Sequence, residues 1–174
     1  MSVTDTQNAY VFDADVLRDK YRAERDKRVR DDGNDQYLEV KGDFSHYVDD
    51  PYVEKGFDRD ALTEELEVLV IGGGFGGMLA AARLIEQGIT DIKIIEKGGG
   101  FGGTWYWNRY PGASCDIESY VYLPMLEETG FVPRQKYTDA PETLAYCQVL
   151  AEKFGLNDLA LMQTEVVSTA WDET

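Results

Sequence analysis

The sequence predicts an α/β fold in which a parallel sheet is flanked by helices, and three observations carry that expectation. The apolar run Leu66-Glu67-Val68-Leu69-Val70-Ile71 leads into Gly72-Gly73-Gly74-Phe75-Gly76-Gly77, which opens into the helix-favouring segment Met78 to Gln87. A second apolar run, Asp91-Ile92-Lys93-Ile94-Ile95-Glu96, comes after the helix and ends in a carboxylate nineteen residues after Gly77. Strand, glycine turn, helix and strand within about thirty residues make a Rossmann-like βαβ unit, the fold that binds dinucleotides.

Each residue type in that unit has a physical task. Gly72 permits the tight turn, Gly74 lets backbone approach a pyrophosphate with no Cβ in the way, and Gly77 lets the helix pack closely on the strand. The pyrophosphate then faces the helix N-terminus, whose free N–H groups and dipole favour an anion. Glu96 stands where an acid hydrogen-bonds a ribose hydroxyl, and its charge would repel a 2′-phosphate. The spacing therefore suits FAD or NAD and not NADP at this site.

The hexapeptide recurs as Gly98-Gly99-Gly100-Phe101-Gly102-Gly103. Here it precedes Thr104-Trp105-Tyr106-Trp107-Asn108-Arg109-Tyr110-Pro111, which predicts a loop rather than a helix. Further on, Asp139 caps a helix with Glu142 three residues later, running through Leu144, Cys147, Leu150, Ala151 and Phe154 to Gly155. Met162 to Trp171 alternates apolar and polar residues as a half-buried strand does.

The organisation read from composition is a polar helical arm over residues 1–62, then the α/β domain over 63–174, N-terminal in character and incomplete. A charged helix is expected from Asp13 to Arg30, with Val16, Leu17 and Tyr21 as a narrow apolar stripe and the pairs Glu24–Arg28 and Asp26–Arg30. The basic residues of that helix interleave with acids and read as a solvated face. The aromatics Tyr37, Phe44, Tyr47, Tyr52 and Phe57 predict an ordered arm laid over the main domain, since such side chains call for burial.

The chain has 174 residues and a formal net charge of −16, with the acids dispersed. That charge disfavours nucleic acid and anionic membranes as partners. One histidine, His46, and two cysteines without CxxC spacing, Cys115 and Cys147, argue against a zinc site or a histidine triad. The cysteines fit two reduced buried thiols or one disulfide. No leader is visible in the polar first thirty residues, and the uncharged stretch from Val68 to Ala82 is too short to span a bilayer. A cytoplasmic protein is expected.

The run from Gly72 through Glu96 to Gly102-Gly103-Thr104-Trp105-Tyr106-Trp107-Asn108-Arg109-Tyr110-Pro111-Gly112-Ala113, then Cys115-Asp116-Ile117-Glu118-Ser119, resembles the N-terminal part of Baeyer-Villiger monooxygenases. The charged arm resembles that of the branch acting on large-ring and polycyclic ketones. The resemblance implies an FAD-dependent, NADPH-consuming enzyme that turns ketones into esters or lactones with O2, through a C4a-peroxyflavin. The cofactor carries the chemistry while the protein positions and desolvates it.

By the match, Gly72, Gly74, Phe75, Gly77 and Gly103 line the FAD and Glu96 takes its ribose. Thr104 and Trp105 lie near the isoalloxazine, Tyr122 close to the flavin, and Val166 offers backbone to the adenine. Asp116 is the catalytic candidate, implied to hold an arginine from later in the chain against the flavin; the residues alone also allow an N-cap for a helix starting at Ile117. Trp105, Tyr106 and Trp107 can equally be core aromatics, a reading stronger for Trp107 than for Trp105. Ser114 departs from the larger polar or basic residue many relatives carry, which puts a contact from there to NADP in doubt. The partner arginine, a second GxGxxG unit for NADPH and the family's FxGxxxHxxxWP signature do not occur in these residues. They are therefore expected to be part of a longer enzyme and inactive alone. A flavin-dependent nitrogen or sulfur monooxygenase and a noncatalytic FAD-binding module are the alternatives.

Overall fold

The computed structural model describes residues 13–38 and 40–173. Residues 1–12, part of the stretch over which no leader is expected, lie outside the described residues. The chain divides into two compact units, Met1–Val48 and Asp49–Thr174, so residues 49–62 group with the α/β unit rather than with the arm.

In the first unit, helix α1 spans Ala14–Asp26, and the Asp13 carboxylate caps it by accepting from the Asp15 and Val16 amides. It stops short of Arg30. Glu24 pairs with Arg28 as expected, at 3.4 Å. The Asp26–Arg30 pair does not form, because Arg30 lies beyond the helix and turns to Asp32 while Asp26 takes Arg25. Short 3₁₀ turns come next, at Gly33–Gln36 and Gly42–Tyr47. The expected burial of the arm's aromatics is not met: Tyr37, Phe44 and Tyr47 are exposed, and so is the stripe Val16, Leu17 and Tyr21. Local ring contacts, such as His46 on Tyr47 at 4.0 Å, take the place of a core.

The second unit is built on a three-stranded parallel sheet in the order β1-β2-β3, with β1 at Val68–Ile71, β2 at Ile92–Ile95 and β3 at Ala160–Leu161. Helix α2, Phe75–Glu86, makes the β1–β2 crossover. After β2 come three one-turn helices, α3 at Thr104–Trp107, α4 at Ser119–Tyr122 and α5 at Leu126–Thr129. Helix α6 runs Ala140–Lys153, its N-terminus capped as predicted by Asp139, which accepts from the Glu142 amide at 2.8 Å. The reciprocal half of that box is not made. Glu142 instead accepts from the Arg134 amide at 2.9 Å. Gly155, in the left-handed region at φ 63°, ends the helical stretch.

Side-chain alternation across the register sets the two faces of the sheet. Ile92 and Ile94 point to the covered face, where Met78, Ala81 and Ala82 of α2 meet Tyr146, Cys147, Leu150 and Ala151 of α6. Each large side chain buried there stabilises the unit by about 1.5–3 kcal/mol. Leu69 and Ile71 face the other way and stay exposed, so one face of this sheet is open where doubly wound folds cover both.

Two expectations fail here. The segment after Gly103 is not wholly loop, since Thr104–Trp107 completes one helical turn on the Gly103 carbonyl. The predicted strand over Met162–Trp171 is instead the two residues Ala160–Leu161. Gln163 takes φ 53°, which turns the chain out of the ladder, and Val167 and Trp171 beyond it are exposed. Alternation alone misplaced this strand because it says nothing of which residues find a partner.

Candidate functional site

The site begins with an asymmetry among the longer helices. Helices α1 and α6 are each capped by an aspartate, whereas α2 begins at Gly74 with no side-chain cap and no acid in its first turn. Its leading N–H groups are therefore left for a ligand. Around them the glycines do separate jobs. Gly72 sits at φ +101°, a turn only glycine makes cheaply, and a Cβ on it would meet nothing within 4 Å. A Cβ on Gly77 would lie 1.9 Å from the Gly72 carbonyl oxygen, so α2 packs on β1 only because that atom is missing. Gly76 again faces open space.

The second hexapeptide docks on the first. Gly102 N–H donates to the Gly73 carbonyl at 2.9 Å, and a Cβ on Gly103 would stand 2.8 Å from the Gly74 Cα. Gly102 and Gly103 hold φ +140° and +54°, conformations suited to glycine. The repeated motif thus forms one two-walled cradle, in which each loop needs the other's lack of side chains.

Glu96 ties the walls together. It is 6 % exposed, and its Oε2 accepts from Gly73 N–H at 2.5 Å while Oε1 accepts from Gly98 N–H at 2.6 Å. Its main chain also joins the end of β2 to β3 and the turn beyond it, donating to Leu161 O and accepting from Thr164 N–H. A carboxylate carries about four lone-pair sites, so two remain for a ribose hydroxyl.

Beside the cradle lies an aromatic group. The Trp105 indole donates to the Tyr122 hydroxyl at 2.9 Å, and the Tyr122 ring meets Trp105 and Phe75 edge-on, each at 5.8 Å. Burial raises the Tyr122 hydroxyl above its ordinary pKa; the Trp105 donor opposes this, and the charges of Cys115, Cys147 and Asp116 add to it. Phe75 points into this group, which leaves its backbone to the cradle. Trp105 and Tyr106 are buried and Trp107 is only half-buried, the reverse of the order expected of the two tryptophans as core residues. Cys115 and Cys147 are free and buried, and desolvation pushes the Cys147 thiol up to about 12.

Asp116 is exposed on the bend before α4 and caps no helix, because α4 starts at Ser119 with Glu118 in the cap position. The bend itself is anchored. Cys115 N–H donates to Thr138 O, Ser119 N–H to Lys136 O, and the buried Ser119 hydroxyl donates to the carbonyls of Gln135 and Lys136 while accepting from Thr138 N–H. Among the described residues, no side-chain hydrogen bond or ion pair engages the Asp116 carboxylate. A cavity of about 460 Å³ opens alongside, lined by Trp105, Arg109, Ala113, Ser114, Asp139 and Leu144 among others. Thr104 is exposed next to Gly103, and Val166 is half-buried just past the Thr164–Glu96 bond.

Gly72, Gly74, Gly77, Glu96 and Gly103 therefore form one constellation, with Phe75, Trp105 and Tyr122 beside it. The sequence reading missed Asp50, Tyr106 and Ser119 as polar partners of these loops. The turn-forming Asp50-Pro51-Tyr52 was a visible signal for the first of them.

Comparison with known proteins fits this geometry. The family description NAD(P)-binding Rossmann-like domain matches residues 70–129. A Baeyer-Villiger monooxygenase of Streptomyces coelicolor is 50 % identical over 158 residues, covering 91 % of this chain and 26 % of that protein. Neopentalenolactone D synthase of Streptomyces avermitilis is 49 % identical over 94 % of this chain and 27 % of its own length. Among solved structures, a polycyclic ketone monooxygenase from the fungus Thermothelomyces thermophila superposes with TM-score 0.73 at 38 % identity, over 86 % of this chain and 25 % of that one. A complex of OTEMO with FAD and NADP gives 0.59 at 30 % identity, over 64 % of this chain and 22 % of that one. The chain spans about a quarter of the length of the curated relatives it matches. Among the described residues no helix is long and apolar enough to cross a membrane.

Proposed function

We propose that this chain, a relative of the Baeyer-Villiger monooxygenases over nine-tenths of its length, supplies the FAD-binding part of a cytoplasmic, NADPH- and O2-dependent enzyme converting ketones to esters or lactones. The observation that carries the reading is the uncapped N-terminus of α2 set between two interlocked glycine loops, with open space at Gly72 and Gly76. That space fits a pyrophosphate, and the buried Glu96 with lone pairs to spare fits the ribose attached to it.

In this reading Gly74, Phe75, Gly76 and Gly103 present backbone to the diphosphate, and Val166 presents backbone near the adenine. Thr104, Trp105 and Tyr122 border the ring system, where the buried Trp105 and the half-buried Tyr122 exclude water from one side. FAD, once bound, supplies the redox relay between NADPH and O2 and the oxygenating group itself. Asp116 is exposed, with no cation partner among the described residues, on a bend held by Ser119, which suits it to orient a positive side chain contributed by the rest of the protein. A carboxylate so placed fixes its partner's position before any charge develops, which is where electrostatic stabilisation gains most.

The test is made on the full-length protein. FAD should copurify, and NADPH consumption should be coupled to ester formation from a cyclic ketone. Asp116→Ala should keep the flavin while ester formation falls and hydrogen peroxide rises. Gly74→Val should lose the flavin. Stoichiometric flavin in Gly74→Val would refute the cradle. Oxidation at nitrogen or sulfur in place of the ketone, or flavin without turnover, would refute the reaction.

A further inference from the structure

We propose that Asp50 is a positioning residue for the cofactor cradle: by holding Gly99 N–H and the Tyr106 hydroxyl together, its carboxylate sets where the second glycine loop meets the first. This inference rests on the FAD-binding reading above.

The loop Gly98–Gly103 has five glycines in six positions, so it brings almost no side chains with which to fix itself and loses much conformational freedom on ordering. What it wraps is the ring of Tyr106. A Cβ on Gly98 would stand 2.8 Å from Tyr106 Cε1, and one on Gly100 would stand 3.2 Å from Cε2. The ring's hydroxyl donates to Asp50 Oδ2 at 2.7 Å, and Gly99 N–H reaches both that oxygen and the hydroxyl at 2.9 Å. Asp50 is fixed in turn, because its Oδ1 accepts from Tyr52 N–H at 2.8 Å across Pro51. Arg109 closes the cluster, its Nε donating to Tyr106 O at 2.8 Å and its guanidinium lying 3.8 Å over Tyr52 and 4.5 Å over Tyr106.

The far side of the same loop is the cradle. Tyr106 N–H bonds the Gly103 carbonyl, Gly102 N–H bonds Gly73, and Gly103 lies against Gly74. A residue outside the βαβ unit thus reaches the diphosphate wall through one phenol and one amide. Burial works to raise the Asp50 carboxyl, but the Tyr106 hydroxyl, the Tyr52 and Gly99 amides and the charge of Arg109 outweigh it. The carboxylate is therefore the form that holds the loop.

The experiment compares the full-length protein with Asp50→Asn, Tyr106→Phe and the double variant. FAD dissociation constants are measured by titrating flavin-free protein, alongside visible circular dichroism of bound flavin and melting of the flavin-free form. Each single variant should raise the FAD dissociation constant about tenfold, as expected for loss of a hydrogen bond to a charged group. Each should also alter the flavin dichroism. The double variant should be little worse than either single, since both cut the same link. Dissociation constants within twofold of the parent, with only the melting temperature lowered, would reduce Asp50 to a fold anchor. So would fully multiplicative effects in the double variant. A parent protein that takes up no FAD would refute the cofactor reading instead.

Discussion

Replacing Gly77 and Gly76 by alanine, one at a time, should move stability in opposite directions although the two residues are adjacent in one motif. At Gly77 the new Cβ would fall 1.9 Å from Gly72 O, 3.0 Å from its carbonyl carbon and 3.2 Å from Val70 Cγ1. Carbon and carbonyl oxygen approach to about 3.3 Å at the closest. Helix α2 must therefore withdraw from β1 by more than about 1 Å, and the obstacle is backbone, with no flexible side chain to swing away. Overpacking of this sort costs about 1–3 kcal/mol and more where nothing yields, so the upper end applies. At Gly76 nothing lies within 4 Å, and a helical glycine exchanged for alanine gains about 0.5–1 kcal/mol. Urea unfolding of the flavin-free protein should separate the two variants by about 4 kcal/mol, the sum of that upper-end loss and this gain. FAD titration should then show Gly76→Ala binding more weakly than the parent, because its methyl enters the space left for the diphosphate. A Gly77→Ala variant that loses less than about 1 kcal/mol, the floor for overpacking, would refute the close packing of α2 on β1.

Glu96→Gln should lower stability by about 1–3 kcal/mol even without FAD, since an amide offers one acceptor where two glycine N–H donors now meet two oxygens. FAD binding should weaken by about a further 1–2 kcal/mol, both losses being read from unfolding curves with and without cofactor. Burial, with the Asp50 carboxylate adding, raises the Tyr106 hydroxyl from 10.0 to about 12. The native state therefore keeps its proton longer than the unfolded chain, and this contribution is complete below pH 10 and lost as pH rises through 12. At most it amounts to about 3 kcal/mol. The parent should thus lose stability across that window more steeply than Tyr106→Phe, and parallel curves would refute the Tyr106–Asp50 bond.

The βαβ unit was legible because its signals are local. Strand periodicity, glycine spacing and a carboxylate nineteen residues on need no knowledge of distant contacts, and the Asp139 cap is equally local. The features that escaped depend on partners far along the chain. The last strand's place is set by pairing with Ile94 and Ile95, and Gln163 then leaves the ladder. Asp50 acts on Gly99 across 49 residues, and Ser119 acts on Gln135 to Thr138 with no recurring residue pattern to mark the pairing. The Asp116 cap failed for a related reason. Backbone pairing of Ser119 with Lys136 starts the helix later than the sequence invites. The arm's aromatics misled because composition registers a side chain's demand for burial and not whether a surface is supplied.

The seam at Glu96 gives this unit a form of thermodynamic linkage. One residue joins two glycine loops by its carboxylate and two strands' continuations by its main chain, so the cradle cannot loosen without releasing the end of the sheet. A ligand seated across both loops then reports on global unfolding rather than on a local hinge. At a free concentration about one hundred times its dissociation constant it would add about 2.7 kcal/mol to the whole unit. Protease resistance in the residues after Leu161, tied to the seam through the Thr164–Glu96 and Gln163–Gly98 bonds, would rise with cofactor occupancy, making the cofactor a structural strut as well as a reagent.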